Sequence, residues 1–334
     1  MNNLISIIIP VNNLSKYILS CLDSIKKQSY RNFECIIVDH FSHDDSCYKI
    51  ESFIKKDLRF KLIKMQYSYI SSSAEAIEYG MKFIRGKYVT FIDGDDSVDV
   101  LFLEKLIKNI LSSNADIVIS GGRAFDEKNK LSLCSFYAGT SLKYFNLFCK
   151  RKISTRNLIS DNIFMVDSYY WGKLFSSEFL ENNNIHFNLS YGNVWNDQQF
   201  TVQYLLKNPR ISFLYEDLYV YRINRLNSVT SAYKFSNFWL RQFLSVLNEL
   251  YVHDSNDIDF FKRYFISRFD DLKQVDNKEK VKNMLFSHGF FDMLNFSIID
   301  YLSYKVHKIF HIYSRKFYKL RLNREFYKKL NFFS

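Results

Sequence analysis

Proline, glycine and cysteine are all scarce in this chain of 334 residues, which holds 2, 9 and 5 of them respectively. Eight of the nine glycines precede Asn193, so positions that demand a glycine backbone are concentrated in the first two thirds, where chemistry is expected. Cys21, Cys35, Cys47, Cys134 and Cys149 are odd in number and lack the close paired spacing of a zinc site. They read as free, buried thiols in a reducing compartment. Also lacking is an apolar run of about 18 residues free of polar interruption, which argues against a membrane-crossing helix. The segment Met1 to Pro10 has no basic stretch leading into a long apolar run and a small-residue cleavage site, so it does not read as a secretory signal and a cytosolic protein is expected. No internal repeat or low-complexity tract is evident.

What is present is a high content of hydrophobic (47%) and aromatic (18%) residues, enough for a large core and excluding a disordered chain. The net charge of +11 suits nucleic acid, an anionic membrane surface or an acidic substrate, and composition alone does not choose among them. Its distribution helps. From Tyr301 to Ser334 nine Lys or Arg residues face one acid, Glu325, and are interleaved with Ile309, Phe310, Tyr313, Phe317 and Leu320. This mixture suits a basic amphipathic helix on anionic lipid, or equally a helix packed on the protein with a solvated basic face. A nucleic-acid partner is not expected, because no recognised binding motif accompanies the tail.

The first 120 residues alternate between two periodicities. Short β-rich runs fall at Ile5 to Ile9, Phe33 to Val38, Phe60 to Ile63, Tyr88 to Ile92 and Asp116 to Ser120. Between them, Tyr17, Ile18, Cys21, Leu22 and Ile25 form one helical stripe, and Leu101, Leu103, Leu106, Ile107 and Ile110 another. Strands joined by helices of this length are βαβ units, which require a mostly parallel sheet with helices on both faces. Ligands bind such sheets beyond the carboxyl ends of the strands, here after Ile9, Val38 and Ile92. Gly121-Gly122 reads as a break, after which a second part completes the site. Beyond about Tyr233 the pattern becomes helical, with runs at Phe238 to Val252, Phe260 to Phe269 and Val281 to Phe286. The expected division is 1–120, 121–232 of the same domain, and a helical, basic extension over 233–334.

The sharpest local signal is Asp93-Gly94-Asp95-Asp96, three carboxylates at the exit of a buried strand. Like charges this close raise one another's pKa, so a cation is the usual companion, and oxygen ligands suit Mg2+ or Mn2+ shared with substrate phosphates. A polar turn capping the next helix through Asp96 or Ser97 is the plainer alternative.

Ser6-Ile7-Ile8-Ile9-Pro10-Val11-Asn12-Asn13, Cys21 through Tyr30, Phe33-Glu34-Cys35-Ile36-Ile37-Val38-Asp39, Gly80, and Gly86-Lys87-Tyr88-Val89 leading into the acidic cluster are ordered and spaced as in the family 2 glycosyltransferases. The chain resembles that family from about Ile5 to Thr230. The resemblance implies a GT-A fold: α/β, Rossmann-like and mostly parallel, here with a helical C-terminal region. It also implies a loop at Pro10 and Val11 that cradles the nucleotide, with Asp39 and His40 at the base. Asp93 and Asp95 would hold ribose and the metal-bound diphosphate, and Asp96 could share the metal role. In Trp195-Asn196-Asp197-Gln198-Gln199-Phe200 the position of the family's catalytic base falls to Asp197, a carboxylate able to take a proton from an attacking hydroxyl. Its plainer reading is an acid favoured at a helix N-terminus. Trp171 and Trp195 could stack on a sugar, and Lys173 or Arg222 could meet phosphate.

Several positions depart from the family pattern. His40 and Phe41 follow Asp39 where an acid and a glycine are usual, Asn12 replaces tyrosine, Ser15 glutamate, Ile77 arginine, and Asn196 the first acid of the base pair. Two functions follow as expectations. The first is an inverting, Mn2+- or Mg2+-dependent hexosyltransferase with a nucleotide-sugar donor, a UDP-sugar favoured, and a glycan or lipid-linked glycan acceptor in capsule or lipooligosaccharide synthesis at the inner face of the membrane. The second is a catalytically impaired scaffold on the same fold within a polysaccharide assembly complex.

Overall fold

The computed structural model describes residues 3–68, 72–128, 131–136, 169–187, 189 and 196–223, all within the unit Met1–Asp254. Trp195, the helices expected beyond Tyr233 and the basic tail lie outside the described residues.

The first half runs β1 (Ile5–Val11), α1 (Ile18–Lys26), β2 (Phe33–Asp39), α2 (Ser46–Ile54), β3 (Phe60–Lys64), α3 (Ser73–Met81) and β4 (Tyr88–Phe91). The second half runs β5 (Ser97–Val98), α4 (Phe102–Ser113), β6 (Ile117–Asp126), β7 (Leu131–Phe136), β8 (Lys173–Ser176), α5 (Ser177–Asn182), α6 (Asn196–Leu206) and β9 (Ile211–Ile223). The strands form one sheet in the order β3-β2-β1-β4-β8-β6-β9-β5, with β7 also paired to β6. From β3 to β4 every pair is parallel. Beyond β4 the sheet is mixed: β8 runs antiparallel to β4 and β6, β9 is parallel to β6, and β5 is antiparallel to β9.

Side chains of a strand alternate between faces, so the unbroken burial of β1 and β2 means that both faces of the parallel half are covered. Helix α3 lies against β1 and β2, and α4 against β6, β8 and β9. The apolar stripes expected at Ile18, Cys21, Leu22 and Ile25 and at Leu103, Leu106, Ile107 and Ile110 are the buried faces of α1 and α4. Helix α4 stops at Asn114, whose φ of 50° is the left-handed conformation that asparagine tolerates at a helix end.

Gly121-Gly122 does not break the chain. Both glycines lie inside β6, where the pairing with β9 shifts register on either side of Gly121. Glycine within a strand often marks a bulge, and here it lets a long strand bend without ending. The four parallel strands bring their carboxyl ends to one edge, where Val11 pairs in register with Asp39 and the loop after β4 leaves the sheet.

Candidate active site

The acidic loop begins where Ile92 donates its N–H to Ile8 C=O (3.1 Å), and it closes tightly through Asp96 N–H to Asp93 C=O (3.0 Å). A Cβ on Gly94 would stand 2.9 Å from Leu14 Cδ1 and 3.0 Å from Pro10 O. The turn therefore rests on the end of β1, and a side chain at this position would push the two loops apart.

From the other side β9 fastens the loop. The Tyr219 hydroxyl accepts the Asp93 N–H (3.1 Å) and donates to Asp96 Oδ2 (2.7 Å). Arg222 gives its backbone N–H to Asp96 Oδ1 (2.7 Å) and its Nε to the Asp95 carbonyl (2.7 Å). Its remaining arm pairs with the Glu127 carboxylate, and the guanidinium lies 5.3 Å from the ring centres of both Tyr17 and Phe125. Asp96 is thus 1% exposed with both oxygens engaged. Burial, reinforced by the charges of Asp95 and Asp93, pushes its carboxyl well above the usual range. It anchors the loop, with both oxygens bonded to β9. Asp93 and Asp95 are the partly exposed members of the cluster, and Asp93 Oδ1 accepts the hydroxyl of Tyr170 (2.6 Å).

Packing joins this loop to helix α6. Phe91, just before the acids, meets Phe200 of α6 edge-on with centroids 5.8 Å apart, and Phe200 stacks on Phe187 at 4.3 Å with planes 4° apart. Phe175 and Tyr204 close the same aromatic cluster. Asp197 occupies the first turn of α6, where the helix dipole favours an acid. The buried hydroxyl of Tyr170 is driven well above its ordinary pKa by burial, by Asp93 to which it bonds, and by the charge of Asp197. Tyr170 therefore lies within the electrostatic reach of both the acidic loop and the sequence-predicted base.

Trp171 is not an open sugar platform. It is 5% exposed, stacked between Tyr169 (4.6 Å, planes 11° apart) and Tyr219 (4.5 Å, 14°), with Tyr221 at 5.4 Å. The stack surfaces at Tyr169, which is 42% exposed. Lys173 is buried with its ammonium on the Tyr169 carbonyl, while its own carbonyl accepts the Thr90 hydroxyl (2.7 Å). Lys173 and Arg222 bond to the framework: Lys173 to a backbone carbonyl, Arg222 to the acidic loop and Glu127.

At the end of β2, Asp39 is 5% exposed; its Oδ2 accepts a long bond from Ser42 N–H (3.4 Å), and its Oδ1 has no hydrogen-bond partner. The neighbouring Cys47 thiol is pushed up to about 11 by burial and by the Asp39 carboxylate. The His40 side chain is engaged with α3. Its ring Nε2 stands 3.0 Å from Ser68 Oγ and 3.0 Å from Glu75 Oε2 of α3, and the Ser68 hydroxyl donates to the same carboxylate oxygen (2.8 Å). Its backbone is pinned too, with His40 N–H on the Val11 carbonyl (2.7 Å) and the Asn12 side-chain amide donating to the His40 carbonyl (2.5 Å).

Among the described residues no group of three or more His, Cys, Asp or Glu side chains could hold a metal ion. Asp93 and Asp95, two partly exposed carboxylates at the mouth, still fit a cation that takes one or two carboxylates and completes its shell with phosphate and water. Tyr170 and Tyr219 were not singled out from the sequence. For Tyr170 the available signal was adjacency to Trp171, and for Tyr219 it was alternation, which puts it on one face of β9 with Tyr221, the neighbour of Arg222.

The family described as Glycosyl transferase family 2 matches this chain over residues 6–171. Glycosyltransferase GlyG of Streptococcus pneumoniae serotype 4 is 26% identical over 287 residues, which cover 82% of this chain and 89% of GlyG. The crystal structure of S. aureus TarS 1-349 in complex with UDP-GlcNAc shares the fold with a TM-score of 0.64 at 20% identity, covering 80% of this chain and 72% of that one. The mannosyltransferase PcManGT from Pyrobaculum calidifontis, in complex with GDP-Man and Mn2+, gives a TM-score of 0.57 at 12% identity over 92% of this chain and 80% of that one.

Proposed function

The chain belongs to the family 2 glycosyltransferases with the GT-A fold, and on that premise we propose that it transfers one hexose, with inversion, from a UDP-sugar to a hydroxyl of a growing or lipid-linked surface glycan. The observation that supports this reading is the pair Asp93 and Asp95, two partly exposed carboxylates at the end of β4, with the Tyr170 hydroxyl donating to Asp93 Oδ1 (2.6 Å).

Asp197 takes the proton of the acceptor hydroxyl as its oxygen bonds to the anomeric carbon. The bond from that carbon to the diphosphate breaks at the same time, and the nucleoside diphosphate leaves with the electron pair. Mn2+ or Mg2+, held by Asp95 with Asp93, would offset the charge of the leaving group. Arg222 and Tyr219 act on the loop's backbone and keep Asp95 at the mouth. Among the described residues no helix is long and apolar enough to cross a membrane. The basic segment 301–334 is the part of the chain suited to anionic lipid, where a lipid-linked acceptor resides.

The test is UDP release from UDP-sugars in the presence of Mn2+ and an acceptor extract. Asp197→Asn is expected to lower turnover by about 10²–10⁴-fold while leaving UDP binding in place; turnover equal to that of the unmodified protein would remove Asp197 from this role. A scaffold on the same fold is the second reading, favoured by the commitment of His40 to α3. It expects no UDP release with any metal.

A further inference from the structure

The parallel half of the sheet has two edges of opposite charge. Its carboxyl edge carries the acidic mouth, with Asp93 and Asp95 after β4 and Asp44 and Asp45 after β2. At its amino edge the chain returns from α1, α2 and α3 into β2, β3 and β4, and there Arg31, Lys55, Lys56, Lys82, Arg85 and Lys87 are all exposed. The strands bring these turns onto one surface, because Ile5 pairs with both Phe33 and Tyr88, and Cys35 with Phe60. Arg59 reaches back to the Lys26 carbonyl at the end of α1 (3.5 Å), with its guanidinium 4.3 Å from the Phe33 ring centre. The acids of this edge are already matched: Asp23 with Lys27 (2.5 Å), Asp57 with Arg59 (2.6 Å) and Glu34 with Arg85 (2.7 Å). Arg31, Lys55, Lys56, Lys82 and Lys87 form no salt bridge among the described residues.

Helix dipoles account for part of this charge only. A dipole favours a cation in or next to the last turn, which covers Lys26, Lys55 and Lys82; Arg31, Lys56, Arg85 and Lys87 lie beyond the helix ends. One apolar side chain stands among the cations: Leu58, in the turn between α2 and β3, is 102% exposed. A soluble polyanion would meet the charges and leave Leu58 in water. A bilayer meets both, with phosphates for the cations and an acyl boundary for the leucine. We propose that the amino edge of the parallel half docks on an anionic lipid surface, with Lys55 and Lys56 on headgroup phosphates and Leu58 inserted between them. This surface is separate in sequence from the basic segment 301–334, and the proposal does not depend on the donor reading. Strands of seven residues put the two edges about 20 Å apart. The docked protein therefore turns its acidic mouth toward solution and away from lipid of the same charge.

The experiment is co-sedimentation of the full chain with vesicles of phosphatidylcholine alone and of phosphatidylcholine mixed with phosphatidylglycerol. The variants are Lys55→Gln/Lys56→Gln, Leu58→Ser, and Lys108→Gln/Lys128→Gln, which loses the same charge at exposed positions on α4 and beyond β6. All change exposed side chains and are expected to melt with the unmodified protein. Binding is expected on the anionic vesicles alone. Lys55→Gln/Lys56→Gln should weaken it by roughly tenfold or more, at about fivefold per basic residue near the surface. Leu58→Ser should weaken it by about threefold or more, and Lys108→Gln/Lys128→Gln by less than about twofold. Equal losses in the two double variants would reduce the effect to net charge and overturn the proposal. Unchanged binding in Lys55→Gln/Lys56→Gln would also overturn it, by assigning the lipid contact to another part of the chain. So would failure of the unmodified protein to bind anionic vesicles. A loss in Lys55→Gln/Lys56→Gln with none in Leu58→Ser would overturn it in favour of a soluble polyanion.

Discussion

The carboxyl ends of β4 and β2 treat buried aspartates in opposite ways. After β4, Asp96 has one oxygen on the Tyr219 hydroxyl and the other on the Arg222 N–H, both supplied by β9. After β2, Asp39 is nearly as buried, yet its Oδ1 has no hydrogen-bond partner and its Oδ2 takes a long bond from Ser42 N–H. A buried polar group is ordinarily satisfied, and one left unmet calls for a reason. Asp96 has both oxygens bonded by β9 and belongs to the framework, while Asp93 and Asp95 are partly exposed. Asp39 keeps a buried oxygen, Oδ1, that the protein does not bond. Burial alone would have ranked the two as equals.

The largest effect that can sharpen this contrast is at the neighbour of the anchor. Asp95→Ala is expected to cut sugar transfer by about 10²–10³-fold, the usual cost of losing one preorganised electrostatic contact to the reacting groups, in a turnover assay with saturating Mn2+. Stability should hardly change, because Asp95 is partly exposed and the bond from Arg222 goes to its backbone carbonyl. Tyr219→Phe asks the reverse of the anchor. It strips a donor from Asp96 Oδ2 and an acceptor from Asp93 N–H, and urea denaturation is expected to show a loss of about 1–3 kcal/mol. A neutral result would mean that Asp96 is not held as described.

At β2 the expected effects are smaller. Asp39→Asn keeps an oxygen for Ser42 N–H and gives up one that bonds nothing, so its stability change should lie within about 0.5–1 kcal/mol or be favourable, a charge having been removed from a buried site. Cys47 reports the same substitution chemically. The thiolate is the reactive form, and with the thiol pushed up to about 11 by burial and by Asp39, alkylation mapped to Cys47 should be slow at pH 8. It should quicken about tenfold per pH unit up to that value. Removing the Asp39 charge lowers the pKa and should speed the reaction at pH 8.

How much of this was legible beforehand depended on range along the chain. Strands β1 to β4, the stripes of α1 and α4 and the acidic cluster are local patterns, and local periodicity suffices for them. The partner of Asp96 is not local, since Tyr219 lies 123 residues away and reaches it only because β9 joins the sheet beside β6. For the same reason Gly121-Gly122 read as a break, although pairing with β9 carries the strand through the glycines. Trp171 and Lys173 were placed by residue type, and type does not tell whether an aromatic meets a sugar or two tyrosines, or whether an ammonium meets phosphate or a backbone carbonyl. At Phe41 the departure from the family pattern was visible, while its left-handed backbone was not.

The most direct test is thermal unfolding of the full chain and of Asp95→Ala with saturating UDP, each with and without Mn2+. A ligand that binds only the folded state stabilises it by about 2.7 kcal/mol at a hundredfold excess over Kd. A Mn2+-dependent rise in melting temperature is expected for the unmodified protein and none for Asp95→Ala, with the two melting alike in the absence of ligand. The same Mn2+-dependent rise in Asp95→Ala would contradict the placement of the diphosphate and its metal at the end of β4.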